Sequence, residues 1–218
     1  MSDYLKLIRW KNLLFIILIQ WLMQHAVVYP LLQTFGFETV QHHSFYLLLM
    51  AASVLIAAGG YVINDYFDVK IDRINKPTEV IAGEAVPLAS AMLLYQILTA
   101  LGTVTGLIIS FLSGSFTLGF IFILTPGLLW FYSASYKRQF LVGNLIVSLS
   151  SALSVLLVGV LAVALLNNEY SRDLLSQTPV PANIYGWTGG FAAFAFMLTW
   201  IREIIKDMED REGDMEME

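Results

Sequence analysis

The 218-residue chain contains no cysteine, and only 13% of its residues are charged. The first absence excludes a disulfide framework, a thiolate metal site and a thiol nucleophile. The second argues against a soluble domain, in which about a quarter of residues are charged. No basic patch with interleaved aromatics occurs, so nucleic acid is not an expected partner. The first apolar run lacks a small-residue cleavage site and further runs follow it, so no cleavable signal peptide is expected. What fills the chain is apolar: 57% of residues are hydrophobic, and several stretches approach the roughly 20 residues that span a hydrocarbon core. The expected fold is all-α, a polytopic transmembrane helical bundle forming one domain over residues 1–218.

Six spans are read, over residues 13–32, 45–63, 88–112, 116–132, 141–166 and 185–205. Pro30 is expected to close the first span, Pro87 to open the third, where its missing N–H costs nothing, and Pro126 to kink the fourth. Gly59, Gly60, Gly102 and Gly106 are expected to let helices approach closely. Basic residues set the topology. Lys6, Arg9 and Lys11 precede span one; Lys70, Arg73 and Lys76 follow span two; Lys137 and Arg138 follow span four; Arg202, Lys206 and Arg211 lie at and beyond the end of span six. Only Arg172 of the 12 Lys and Arg falls on the other side. The positive-inside rule therefore puts both termini, and the aspartate-rich segments that follow spans two and six, in the cytoplasm of a multi-pass cell-membrane (inner-membrane) protein.

Charge is scarce, yet two acidic clusters directly follow apolar runs. Asn64, Asp68 and Asp72 stand at i, i+4 and i+8, with Asp65 beside them; Asp207, Asp210 and Asp214 stand at i, i+3 and i+7. If the helices continue past the membrane, each set shares one helix face, with Cβ atoms about 5–6 Å apart. Carboxylates at helix C-termini are disfavoured by the macrodipole, by about 0.3–1 kcal/mol each, and they repel one another. One such cluster is as readily a solvated, salt-bridged helix end. Two on the same membrane face point to bound cations. Mg²⁺ suits them, because it takes one or two carboxylates, keeps waters and completes its octahedron with substrate phosphates.

Cations for a diphosphate lie at hand. Lys137 and Arg138, after Tyr132 and Tyr136, could neutralise its oxygens, although two basic residues in an inner loop are equally expected on topology alone. Arg73 and Lys76 could approach the same phosphate. Asn144, early in span five, is either a ligand contact or an interhelical hydrogen bond. Gln20, Gln24 and His25 are expected chiefly to bond between helices, His42 and His43 sit far from the acidic clusters, and Tyr61, Phe67 and Tyr132 could flank a carbocation.

These residues resemble the UbiA family of intramembrane prenyltransferases. The resemblance rests on Asn64-Asp65-x-x-Asp68-x-x-x-Asp72 with Arg73-Ile74-Asn75-Lys76-Pro77, then Tyr132-Ser133-x-x-Tyr136-Lys137-Arg138 and Gly143-Asn144. It continues through Arg202-Glu203-Ile204-Ile205-Lys206-Asp207-x-x-Asp210-x-x-Gly213-Asp214. The last segment is most similar to the branch that prenylates glycerol-phosphate lipids. The resemblance implies that Asp65, Asp68, Asp72, Asp207, Asp210 and Asp214 bind Mg²⁺. It also implies that Asn64 belongs to the first motif and that Lys137, with Tyr136, contacts a prenyl diphosphate. Arg73, Tyr132, Arg138 and Asn144 join Asn64, Tyr136 and Lys137 as expected substrate-binding residues; Asp68, Asp210 and Lys137 are the expected catalytic ones. Two departures stand out. Thr78-Glu79 replaces a basic residue and proline found in many relatives, and six spans are counted where the family has nine, so a fragment or a shortened member is expected.

The expected activity is Mg²⁺-assisted transfer of a prenyl group from a polyprenyl diphosphate to a lipid or aromatic acceptor within the membrane, a prenylglycerol-phosphate acceptor being the first expectation. The alternatives are an aromatic prenyltransferase of quinone biosynthesis, a cation transporter and a nonenzymatic membrane scaffold.

Overall fold

Hydrocarbon offers no hydrogen-bond partner to the backbone, so apolar runs of this length satisfy their own N–H and C=O groups as helices. The computed structural model describes residues 2–37, 42–75, 80–135 and 141–215. Its elements are α1 (Ser2–Leu7), α2 (Trp10–Leu22), a π-helical segment (Met23–Val28), α3 (Tyr29–Thr34), α4 (His43–Asn75), α5 (Leu88–Ser113), α6 (Phe116–Ala134), α7 (Val142–Tyr170), α8 (Arg172–Ser176) and α9 (Val180–Met215). Among the described residues there is no strand beyond one isolated bridge between Ala82 and Val86. Six stretches are long and apolar enough to cross a membrane: Trp10–Thr34, His43–Lys70, Leu88–Ser113, Phe116–Ala134, Val142–Tyr170 and Val180–Lys206. These are the six spans expected, and the fold is an all-α polytopic bundle.

Pro30 does not close the first span. It sits near the start of α3, and the helix runs on to Thr34 after widening into the π-helical turn. Proline has no N–H to give to the preceding turn, which accounts for the irregular hydrogen bonding just before it. Pro126 lies inside a continuous α6. Pro87 stands immediately before α5 as expected, and the α5–α6 turn is made by Gly114 in the left-handed region and by Ser115, whose hydroxyl accepts from the Leu118 N–H.

Helix seams depend on small residues. A Cβ on Gly102 would lie 2.8 Å from Ile56 Cγ1 and 3.0 Å from the Ile56 backbone nitrogen, so α5 runs against the backbone of α4. A Cβ on Gly159 would meet the Thr188 hydroxyl at 2.3 Å, which brings α7 equally close to α9. α7 is the most enclosed element, with residues 157–166 buried throughout. Polar side chains knit the interior. The Gln20 amide nitrogen donates to Ser53 Oγ of α4 and to the Ser154 carbonyl of α7, both at 2.9 Å. This is the interhelical role expected of it.

Candidate active site

Successive spans alternate in direction, and contacts at the two ends fix which termini meet. At one end Asn168, near the close of α7, donates to the Ser113 carbonyl at 3.1 Å, His42 faces Glu169, and the first residues of α9 join the α5–α6 turn around a cavity of about 520 Å³. At the other end lie the start of α2, the last turns of α4 and α9, and the segment before α5. There Leu7, Val62, Val69, Ala82, Val86 and Ala91 form a buried apolar cluster. Both aspartate runs belong to this second end.

α4 is one uninterrupted helix through Asn75, and α9 is one through Met215. Each motif therefore lies on helix rather than on a loop. Asn64, Asp68 and Asp72 form a stripe along α4, and Asp207, Asp210 and Asp214 form one along α9, by helical register. Asp68 is buried, at 6% exposure, and its Oδ2 accepts a hydrogen bond from the Asn64 amide at 2.9 Å. That contact is the i, i+4 geometry of a helix face.

Asp65, which the Asn64 side chain also reaches, takes a further partner from another helix. One residue on from Asn64, it is turned by about 100° around the axis, toward the start of α2. Arg9 meets it there, with Nη2 2.8 Å from Oδ1. The same guanidinium lies 5.1 Å above the Tyr61 ring, so the face of one aromatic expected to flank a cation is covered. Phe67 stands edge-on to Trp130, at 6.4 Å between centroids. Arg73, expected on phosphate, is paired with Glu84 at 2.7 Å across the loop before α5; both side chains are more than half exposed, so this pair exchanges readily with solvent. Asn144 is buried in the first turn of α7, at the motif end. Tyr132 is half-buried near the end of α6. Arg202 and Glu203 are joined at 2.8 Å just before the second motif. Tyr136, Lys137 and Arg138 lie outside the described residues, as do the side chains of Asp207, Asp210 and Asp214.

Arg9 is the residue that sequence reasoning missed. It is one of three basic residues before the first span, and nothing local separates it from Lys6 and Lys11. A weak signal was its place one turn before the apolar run, at the membrane end that bears the aspartates.

Among the described residues no three His, Asp or Glu side chains form a closed metal cage. The donors present are carboxylate and amide oxygens on helix faces. That set fits Mg²⁺, which is held by a few carboxylates with substrate phosphates rather than by an all-protein cage.

Comparison with known proteins follows the same line. The model of the UbiA prenyltransferase family matches residues 27–218. The chain is 39% identical over 166 residues to the digeranylgeranylglyceryl phosphate synthase of Ignicoccus hospitalis, covering 76% of this chain and 49% of that protein. It is 38% identical over 170 residues to the synthase of the same name from Sulfolobus acidocaldarius, covering 78% and 53%. A solved structure concerning digeranylgeranylglyceryl phosphate synthase in membranes superposes with a TM-score of 0.66 at 27% identity, covering 99% of this chain and 65% of that one. The chain thus spans about half the length of these curated relatives. Family match, motif register and six-span bundle agree, and the chain belongs to the UbiA prenyltransferase family.

Proposed function

We propose that this chain carries the Mg²⁺-dependent transfer of a prenyl group from a prenyl diphosphate to a glycerol-phosphate lipid, with its aspartate end in the cytoplasm. The observation that carries this reading is the stripe on α4, where buried Asp68 is held by Asn64 at the same bundle end as the α9 aspartates. The names of the relatives support the glycerol-phosphate acceptor, and the one-sided distribution of Lys and Arg supports the orientation.

Asp68 and Asp72 on α4, with Asp207, Asp210 and Asp214 on α9, would hold the ions. When bound, Mg²⁺ supplies Lewis-acid stabilisation of the charge that grows on the departing diphosphate. Asn64 keeps the Asp68 carboxylate oriented. Lys137 and Arg138 would add positive charge against the diphosphate, Lys137 as a point charge and Arg138 as a fork. Arg73 reaches phosphate by exchanging its solvent-exposed Glu84 partner. Tyr132 and Asn144 border the reacting end of the prenyl chain, and Tyr136 would contact the diphosphate. The apolar helix walls hold the isoprenoid tail and keep water from the allylic cation left when the carbon–oxygen bond breaks. An acceptor hydroxyl then forms the new ether bond and gives up its proton, for which the departed diphosphate is an available base.

The test uses the full chain in proteoliposomes, with labelled prenyl diphosphates and two acceptors, a glycerol-phosphate lipid and an aromatic acid. We expect a labelled ether lipid that requires Mg²⁺, with turnover falling by about 100-fold or more in Asp68→Asn and in Asp210→Asn. Unchanged turnover in either variant overturns the metal role. Prenylation of the aromatic acid alone overturns the acceptor.

A further inference from the structure

We propose that Arg9 is a positioning residue that clasps Asp65, removing this carboxylate from the metal-facing set and fixing the N-terminal helix α1 as a wall of the active site. The inference rests on the prenyl diphosphate reading for the site it serves, but its evidence is separate. Arg9 adopts φ 51°, ψ 51°, a left-handed conformation at a non-glycine residue. Such backbone is strained for a non-glycine residue and persists only where the surroundings impose it. Here they do. The guanidinium is held by Asp65 at 2.8 Å and by the Tyr61 ring at 5.1 Å, both on α4.

The kink has a result. It ends α1 and starts α2 in a new direction, and the Arg9 carbonyl accepts the first hydrogen bond of the new helix, from the Asn12 N–H at 2.8 Å. α1 is thereby turned so that Leu7, fully buried, joins Val62, Val69 and Val86. Val62 and Val69 flank Asn64 and Asp68 along α4, and Val86 anchors the loop before α5. The clasp thus sets one side of the site through α1 and another through the loop.

It also sorts the carboxylates. Asp65 is only 17% exposed, and its charge is already neutralised by a guanidinium at hydrogen-bond distance. Asp68, which accepts from the Asn64 amide, and Asp72 lie on the neighbouring stripe. The pattern Asn-Asp-x-x-Asp-x-x-x-Asp then has two functions along about two and a half helix turns: Asp65 for the clasp, the rest for the ligand.

Three measurements on the full purified chain test this. Mn²⁺ binding in the presence of inorganic pyrophosphate, followed by electron paramagnetic resonance, should be within about twofold of the parent in Asp65→Asn. In Asp68→Asn it should weaken by about tenfold or more, the scale of a lost charged contact. Amide hydrogen exchange over residues 2–12 should accelerate by about tenfold in Arg9→Gln. The charge swap Arg9→Asp with Asp65→Arg should restore slow exchange and parental Mn²⁺ binding. Tenfold weaker Mn²⁺ binding in Asp65→Asn makes Asp65 a metal ligand and overturns the proposal. So does unchanged exchange in Arg9→Gln, or a swap that rescues neither property. Should the parent chain bind no Mn²⁺-pyrophosphate, the prenyl diphosphate reading falls, and the exchange data alone decide whether Arg9 clasps α1.

Discussion

Asp68 is buried two turns before the end of α4, and burial disfavours a carboxylate. The Asn64 amide relieves part of that cost, and a charged hydrogen bond of this kind is worth about 1.5–3 kcal/mol. Asn64→Ala should therefore raise KM for the prenyl diphosphate by about tenfold or more with a smaller change in kcat, measurable by steady-state kinetics in proteoliposomes. A second residue, Gln20, ties α2 to α4 and α7 through one amide nitrogen. Intramembrane hydrogen bonds average about 0.6 kcal/mol, so Gln20→Leu should lower stability by only about 1 kcal/mol, read as a shift in Tm. At this scale spacing revealed much. The i, i+4, i+8 run exposed the α4 stripe, because helical register alone decides it. The partners of Asp65 and Arg73 were not legible, since Arg9 is 56 residues away in sequence from Asp65 and Glu84 sits in a loop whose course depends on tertiary packing. Tyr61 shows the same limit: composition suggested an aromatic beside a cation, and the cation above it is Arg9.

Helices pair where glycine lets backbones meet. The α4–α5 seam at Gly102 leaves no room for a side chain beside Ile56, whereas a Cβ on Gly127 would meet nothing within 4 Å. Gly102→Leu should destabilise the bundle by about 1–3 kcal/mol through overpacking. Gly127→Ala, inside α6, should leave Tm unchanged or slightly raised, since alanine favours helix. Thermal unfolding of the two variants in one detergent checks both. Span positions were legible because length and apolarity dictate them. Helix faces were less so, because helices apolar all round carry little periodic signal. The first span illustrates the point: Pro30 read as an end, yet lipid demands that backbone groups be satisfied, and the chain widened its turn rather than stopping.

Across the molecule, alternating spans gather both aspartate runs at one end and leave Arg172 at the other, on the rim of the 520 Å³ cavity. The orientation proposed from the basic residues can be checked directly, since the chain offers no native thiol. Single cysteines at Lys11 and at Lys70 should react with an impermeant maleimide only from the cytoplasmic side, and a cysteine at Arg172 only from the opposite side. Labelling of Lys11→Cys and Arg172→Cys from one common side would reverse the assignment. The general architecture was readable from hydropathy and charge. Which helices neighbour one another was not, because that depends on contacts such as Gly159 with Thr188 that join residues far apart in sequence.

The unbroken course of α4 has a mechanical corollary. From His43 to Asn75 it has 33 residues and no hinge, a stiff shaft of about 50 Å, seated midway where Ile56 abuts Gly102. Its carboxylates cannot swing independently of the membrane-embedded half. Accommodation of a bulky ligand must then come from the flanks, and rigidifying those flanks would slow turnover while leaving the shaft untouched.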